Sequence, residues 1–115
     1  MSAAMSKEKR TAESKRTNPP RNVKKSDKFR KDWGRLSRSG KQDMHRLKEA
    51  MLLLIANDAP LPPEWKDHPL KGMPGKIREC HVKGDLLLTY YIEEDAEDSL
   101  ITFLRAGTHS EIFGG

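Results

Sequence analysis

Three prolines within four positions, Pro60, Pro62 and Pro63, divide this chain into two halves that cannot share one kind of regular structure. Proline lacks a backbone N–H and its ring clashes with the preceding turn, so no helix continues through Asp58 to Pro63. Upstream, the apolar residues repeat with a helical period. Phe29, Trp33 and Leu36 fall at i, i+4 and i+7, and Met44, Leu47, Met51, Leu54 and Ile55 form a second stripe. Ser26 or Asp27 can cap the first helix, because their side-chain oxygens accept from the free N–H groups of its first turn. Gly40 stops it. The second helix is expected from near Gln42 or Asp43 to about Asn57, and two helices so closely joined pack as a hairpin.

Downstream, the pattern is that of strands. Ile77 to Val82 puts Ile77, Glu79 and His81 on one side and Arg78, Cys80 and Val82 on the other. Lys83-Gly84 reads as a two-residue turn. Asp85 then opens a strand, Leu86 to Ile92, that is apolar enough to be central. Glu93 to Asp98 is an acidic, solvated turn, and Leu100 to Leu104 is the next strand. Glu111 to Phe113 can add a short one. Arg21 to Lys25, ahead of the helices, suits an edge strand. Glu64 to Gly75 is irregular, with Trp65 as an anchor and His68 pushed towards extended geometry by Pro69. The expected fold class is α+β, in the order β-α-α-β-β-β: a small twisted antiparallel β-sheet with two N-terminal helices packed on it.

A chain of 115 residues makes one small domain. Residues 1–18 show no periodicity and no large aliphatic side chain beyond Met, and read as a basic, disordered tail before a domain at 19–115. The net charge of +5 is unevenly spread: residues 1–50 carry 16 Lys/Arg against 6 Asp/Glu, whereas residues 51–115 carry 6 against 11. A basic N-terminal half implies a polyanion or an acidic partner. No apolar run approaches the ~20 residues that span a bilayer, and Met1 to Lys7 has no secretory h-region. A single cysteine, Cys80, makes no internal disulfide, which fits a reducing cytoplasm.

Of the four histidines, His45 follows Met44 off the apolar stripe and reads as a surface residue. His68, His81 and His109 are placed differently. If the hairpin and the last long strand pair, His81, Asp85 and His109 come to one end of the sheet. The terminal run Arg105-Ala-Gly-Thr-His-Ser-Glu-Ile-Phe113 adds a guanidinium and a phenyl ring there. Its apolar pair, Ile112 and Phe113, suggests that the terminus docks.

Such a set suits acid–base cleavage of RNA. One side chain takes the 2′-OH proton, another protonates the leaving 5′ oxygen, and cations stabilise the charge on phosphorus. Arg105 offers its fork to the phosphate, and Phe113 or Tyr91 can stack a splayed base. Strand parity, however, groups Arg105 with Ile101 and Phe103 on the core face. The metal-ligand candidates are His68, His81, His109, Cys80, Asp67 and Asp85. With no HxxxH or CxxC pair, and with Cys80 and His81 on opposite faces, the expectation is no metal and no cofactor. Cys80 groups with Val82 as a buried structural thiol.

Three blocks, Asp67-His-Pro-Leu-Lys-Gly72, Arg78-Glu-Cys-His-Val-Lys-Gly-Asp85 and Arg105 to Phe113, resemble the signatures of the YafQ branch of the RelE/ParE toxin superfamily. Lys28-Phe-Arg-Lys-Asp32 resembles the family's first helix, so the resemblance spans about Arg21 to Gly114. It implies a ribosome-dependent mRNA endonuclease that cuts in the 30S A site and is neutralised by a cognate antitoxin. It assigns the functional histidines to His68, His81 and His109, the carboxylate to Asp85, the arginine to Arg105 and the terminal aromatic to Phe113. By resemblance His109 is the first choice for the general acid, His81 and Asp85 are candidates for the base and its support, and His68 for positioning the substrate; which of them takes the 2′ proton stays open. Two features depart from the family: the long tail before Asn18, and Gly72 to Arg78, which lacks aromatic residues. The competing functions are a non-catalytic basic RNA- or ribosome-binding module and a ParE-like toxin directed at DNA gyrase, neither of which needs three histidines.

Overall fold

The strand expected near Arg21 forms over Asn22–Lys25 (β1) in the computed structural model, which describes residues 19–56, 61–73, 75–95 and 98–114. The basic tail, Asn57, the start of the proline-rich connector and part of the acidic turn lie outside the described residues. After β1 come α1 (Asp27–Ser39), α2 (Met44–Ala56), a 3-10 turn (Pro63–Trp65) and β2 (His68–Pro69). They are followed by β3 (Arg78–Lys83), β4 (Leu86–Glu94), β5 (Ser99–Gly107) and α3 (His109–Phe113).

The first helix begins and ends for the reasons the sequence suggests. The Ser26 hydroxyl accepts from the Phe29 N–H and donates to the Leu104 carbonyl at 2.7 Å, so the cap of α1 also ties it to β5. Gly40 closes α1 with φ 68°, a left-handed conformation that costs glycine little. Phe29 and Leu36 from α1, with Leu47, Met51 and Leu54 from α2, are buried against Cys80, Val82, Leu88, Tyr90, Ile101, Phe103 and Ala106 of the sheet. Trp33, Met44 and Ile55 pack partly buried at the margin of this core. Trp65 is 1% exposed and carries the Arg46 guanidinium over its ring at 3.7 Å, so it anchors the connector as expected.

The α+β architecture stands, with a mixed sheet in the order β1-β5-β4-β3-β2. The pairs β2–β3, β3–β4 and β4–β5 are antiparallel, but β1 runs parallel to β5. Parallel neighbours need a long crossover connection, and here both helices and the rest of the sheet lie between the two strands. Local differences from the sequence reading follow. His68 and Pro69 form a two-residue edge strand, as the extended pre-proline geometry allows. The β3–β4 turn falls on Gly84-Asp85, with Gly84 at φ 57°, so Asp85 lies in the turn and β3 extends through Lys83. Glu111 to Phe113 is helical and adds no strand. Among the described residues no helix is long and apolar enough to cross a membrane.

Candidate active site

Strand register determines which side chains share the sheet face opposite the core. His68 pairs with Glu79, Glu79 with Thr89, and Thr89 with Arg105, giving one row across four strands. The next row is His81, Leu87 and Gly107. Residues directly opposite in antiparallel strands project to the same face. Leu87 is buried yet stands outside the core cluster, as this face requires. Two strand spacings separate His81 from Gly107, about 10 Å. His109 follows Gly107 by two residues, and Asp85 sits in the turn at the same end. The sheet therefore brings His81, Asp85 and the strand end that leads to His109 to one end, with Arg105 one row back, and adds His68, which the sequence placed only in a loop.

On the β2–β3 side, His68 Nε2 lies 3.2 Å from Glu79 Oε1, and His81 Nε2 lies 3.9 Å from the same oxygen. The two imidazole rings are 5.8 Å apart. The Lys66 carbonyl sits 2.6 Å from His68 Nδ1 and can only accept. His68 thus has an acceptor at each ring nitrogen, and both contacts become hydrogen bonds when both nitrogens carry protons. Lys66 holds φ 48°, a left-handed conformation unusual for a side-chain-bearing residue. The preceding loop is fixed by Asp67, which accepts from Arg78 Nε at 3.1 Å and from the Tyr90 hydroxyl. Burial, and then the Asp67 carboxylate, push the Tyr90 phenol well up, so it remains a donor. Beside His81 a cleft of about 510 Å³ opens between α2 and the β3–β4 turn, with Arg46, Lys66 and Lys83 on its walls.

On the β5 side, a bulge resolves the parity of Arg105. The β4–β5 register shifts between Thr89 and Tyr90: Tyr90 pairs with Phe103, Thr89 with Arg105, and Leu104 is the extra residue. Phe103 and Ala106 can then both be fully buried, and Arg105 leaves the core face. Bulges re-aim side chains in this way and recur near active sites. The Arg105 fork grips Asp32, with Nε at 2.8 Å from Oδ2 and Nη2 at 3.2 Å from Oδ1. Its remaining bonds reach the Glu111 and Ile112 carbonyls at 3.3 and 3.4 Å. Burial pushes the Asp32 carboxyl up, but the bonds from Arg105, Arg35 and the Ala106 N–H outweigh it and leave the group below its usual range.

The terminus is tied differently from expectation. No residue of α3 is buried, and Phe113 is 36% exposed, so apolar docking does not hold it. Thr108 and Glu111 instead form a capping box, each bonding to the other's backbone N–H. The Thr108 N–H lowers the Glu111 carboxyl below its usual range, assisted by Arg35. His109, the first residue of α3, is exposed, and its ring lies 4.7 Å from that of Phe113. Tyr91, the other aromatic candidate, pairs with Thr102 further from this end.

Two side chains that contact the expected site residues escaped the sequence reading. Glu79 appears there only as a strand residue on the His81 side. It is 6% exposed, and its Oε2 has no hydrogen-bond partner among the described residues. Asp32 stands on the helical stripe between Phe29 and Leu36, where a carboxylate demands a buried partner, and that was the available signal. His68, Glu79 and His81 can also hold a metal ion, since one ligand atom from each lies within 4.8 Å of the others, and two imidazoles with a carboxylate suit zinc or copper. Of the other ligand candidates, Cys80 faces the core, with its thiol pushed up to about 12 by burial, and Asp67 is engaged by Arg78 and Tyr90. His45 is exposed on α2.

Residues 21–114 match the family described as the bacterial toxin of type II toxin–antitoxin systems, YafQ. The chain is 40% identical over 94 residues to the mRNA interferase toxin YafQ of Escherichia coli K12, covering 82% of this chain and 97% of that one. It superposes on a chain of the E. coli DinJ–YafQ complex with TM-score 0.68 and 39% identity, covering 82% of this chain and 99% of that one. A metal-bound toxin from Helicobacter pylori gives TM-score 0.69 at 40% identity over 80% of this chain and 98% of its own.

Proposed function

The chain belongs to the YafQ family of bacterial type II toxins, and from that premise we propose that it is an endoribonuclease that cuts mRNA in the ribosomal A site and is silenced by a cognate antitoxin. The observation that carries this reading is the pair of histidine positions facing one another across the end of the sheet. His81 stands beside Glu79 on β3, its row runs through Leu87 to Gly107, and His109 follows Gly107 by two residues, with Arg105 one row back on β5. A phosphodiester fits such a gap.

In this reading His81 takes the 2′-OH proton, the 2′ oxygen attacks phosphorus, and the 5′ oxygen leaves with a proton from His109. The products are a 2′,3′-cyclic phosphate and a 5′-hydroxyl, and every proton is moved by a side chain. Glu79 and Asp85 support the base. His68, held at each ring nitrogen, positions the substrate, and Arg105 adds charge at the developing phosphorane. Phe113, exposed against His109, stacks the splayed base.

The antitoxin engages the exposed basic face of α1, Lys28, Arg30, Lys31 and Arg38, through an acidic segment. Translation takes place in the cytoplasm, which is the compartment this reading requires.

The test is primer extension on an mRNA after expression of the wild type and of His109→Ala, with and without a start codon. The expected result is cuts in frame with codons that vanish when translation or His109 is lost. Cuts that persist without a start codon mean a free ribonuclease. Growth arrest without cuts means a different target.

A further inference from the structure

We propose that Asp32 is a positioning residue for the cleavage reaction: it orients Arg105 directly and, through Arg35 and Glu111, sets the helix that carries His109. The inference rests on the nuclease reading above.

Asp32 is 2% exposed, and four donors fill its two oxygens. Oδ2 accepts from Arg105 Nε at 2.8 Å and from the Ala106 N–H at 3.0 Å. Oδ1 accepts from Arg35 Nη1 at 2.8 Å and from Arg105 Nη2 at 3.2 Å. Burying a carboxylate is costly, and a well-packed apolar side chain often serves stability equally well. What an apolar residue cannot do is fix the plane of a guanidinium. The fork of Arg105 against Asp32 does so, because two parallel bonds remove rotation about the contact.

The same carboxylate extends its reach to α3. Arg35 bridges Asp32 to Glu111, with Nη2 at 3.4 Å from Glu111 Oε1, and also reaches the Ala106 carbonyl at 3.4 Å. Glu111 closes the capping box that starts α3 one residue before His109. A helix of five residues with nothing buried has no stability of its own. Its position therefore depends on these polar ties. Gly107 lets them settle: a Cβ there would lie 2.8 Å from Glu111 Oε1 and 3.1 Å from Arg35 Nη2.

The test uses the full chain with ribosome-bound mRNA, comparing Asp32→Asn, Arg105→Gln, the double variant and Arg35→Gln. Asp32→Asn keeps the shape and turns an amide donor towards the arginines. Its kcat should fall by roughly 100-fold, the scale of a misplacement near 1 Å, with KM within about three-fold. In the Arg105→Gln background the same change should cost only about ten-fold, the share that runs through Arg35, and not the full 100-fold. Multiplicative losses in the double variant, or an unchanged kcat in Asp32→Asn, overturn the proposal.

Arg35 is partly exposed, so Arg35→Gln tests the second arm without threatening the core. It should lower kcat by about ten-fold at unchanged Tm; full activity overturns that arm. A readout independent of cleavage is the NMR signal of the His109 ring, shifted by Phe113 in the wild type. The shift should collapse in Asp32→Asn and in Arg35→Gln. Unchanged ring signals overturn the proposal even if no RNA is cut, whereas collapsed signals with an inactive wild type would sink only the nuclease reading.

Discussion

At the scale of single residues, the site separates groups that hold the fold from groups that only face solvent. Arg105 belongs to both. Removing its side chain leaves the Asp32 carboxylate buried with two of its four bonds gone, so Arg105→Ala should cost about 3 kcal/mol and lower Tm by 10 °C or more. His109 is exposed and its ring packs against that of Phe113 on the surface, so His109→Ala should leave Tm within about 2 °C while abolishing cleavage. Paired melting and cleavage measurements on the two variants check this. Asp32 also gives a pH signature. Its folded carboxyl titrates below the ordinary aspartate value, so its contribution is complete above that value, near pH 4, and is lost as pH falls through the lower folded pKa. Acid unfolding of Asp32→Asn should accordingly show a flatter pH dependence below pH 4 than that of the wild type. The histidine and Glu79 cluster makes a separate prediction. Zinc bound there would occupy the lone pair on His81 that the base needs, so toxin stripped with EDTA and then freed of it should cleave fully in a Mg²⁺-containing ribosome assay, and cleavage should fall on adding Zn²⁺.

At the scale of elements, the helices and the β3–β4–β5 meander were legible because their signals are local. A stripe of period 3.6, a Ser26 cap and a Gly40 stop need no partner to be recognised, and the observed bounds agree within a few residues. What was not legible depends on pairing. The bulge at Leu104 exists only relative to β4, so simple alternation put Arg105 on the core face. The parallel contact of β1 with β5 joins segments some 75 positions apart, and nothing in Asn22 to Lys25 announces its direction. Glu111 to Phe113 looked like a strand because its apolar pair drew notice, whereas Thr108 and Glu111, a Thr-x-x-Glu signature for a helix start, went unread. The site residues were legible as types, and their gathering at one end followed from strand order. The partners that orient them, Glu79 and Asp32, required the folded register. The capping box carries its own prediction. Thr108→Ala removes the bond to the Glu111 N–H, a loss of about 1 kcal/mol that acts on α3 alone. Global Tm should barely move, amide exchange in α3 should quicken, and cleavage should fall several-fold.

At the scale of the whole molecule, the domain closes where β1 meets β5, and Arg21 fastens that closure. Its N–H donates to the Ile55 carbonyl at 2.7 Å, its Nη1 to the Leu54 carbonyl at 2.7 Å and its Nε to the Ser99 hydroxyl at 3.0 Å, and Glu94 lies 3.7 Å from Nη2. One residue thus ties the end of α2 to the start of β5 just as the chain enters the sheet. Arg21 is where the chain is fastened into the fold, and the family match begins at the same residue. The basic residues before it, Lys7, Lys9, Arg10, Lys15 and Arg16, add charge, and we propose that this charge attracts a polyanion. These two roles predict opposite outcomes for two truncations. Removing residues 1–17 should leave Tm unchanged and weaken ribosome association in a salt-dependent way, because long-range attraction is lost while the site is intact. Removing residues 1–25 also takes away Arg21 and β1 and exposes the β5 edge. In a domain of this size 1 kcal/mol corresponds to about 4–8 °C, and the loss of a strand with its anchoring arginine should lower Tm by well over 10 °C. If the shorter truncation also lowers Tm by that amount, the domain starts upstream of Arg21 and the tail is part of the fold.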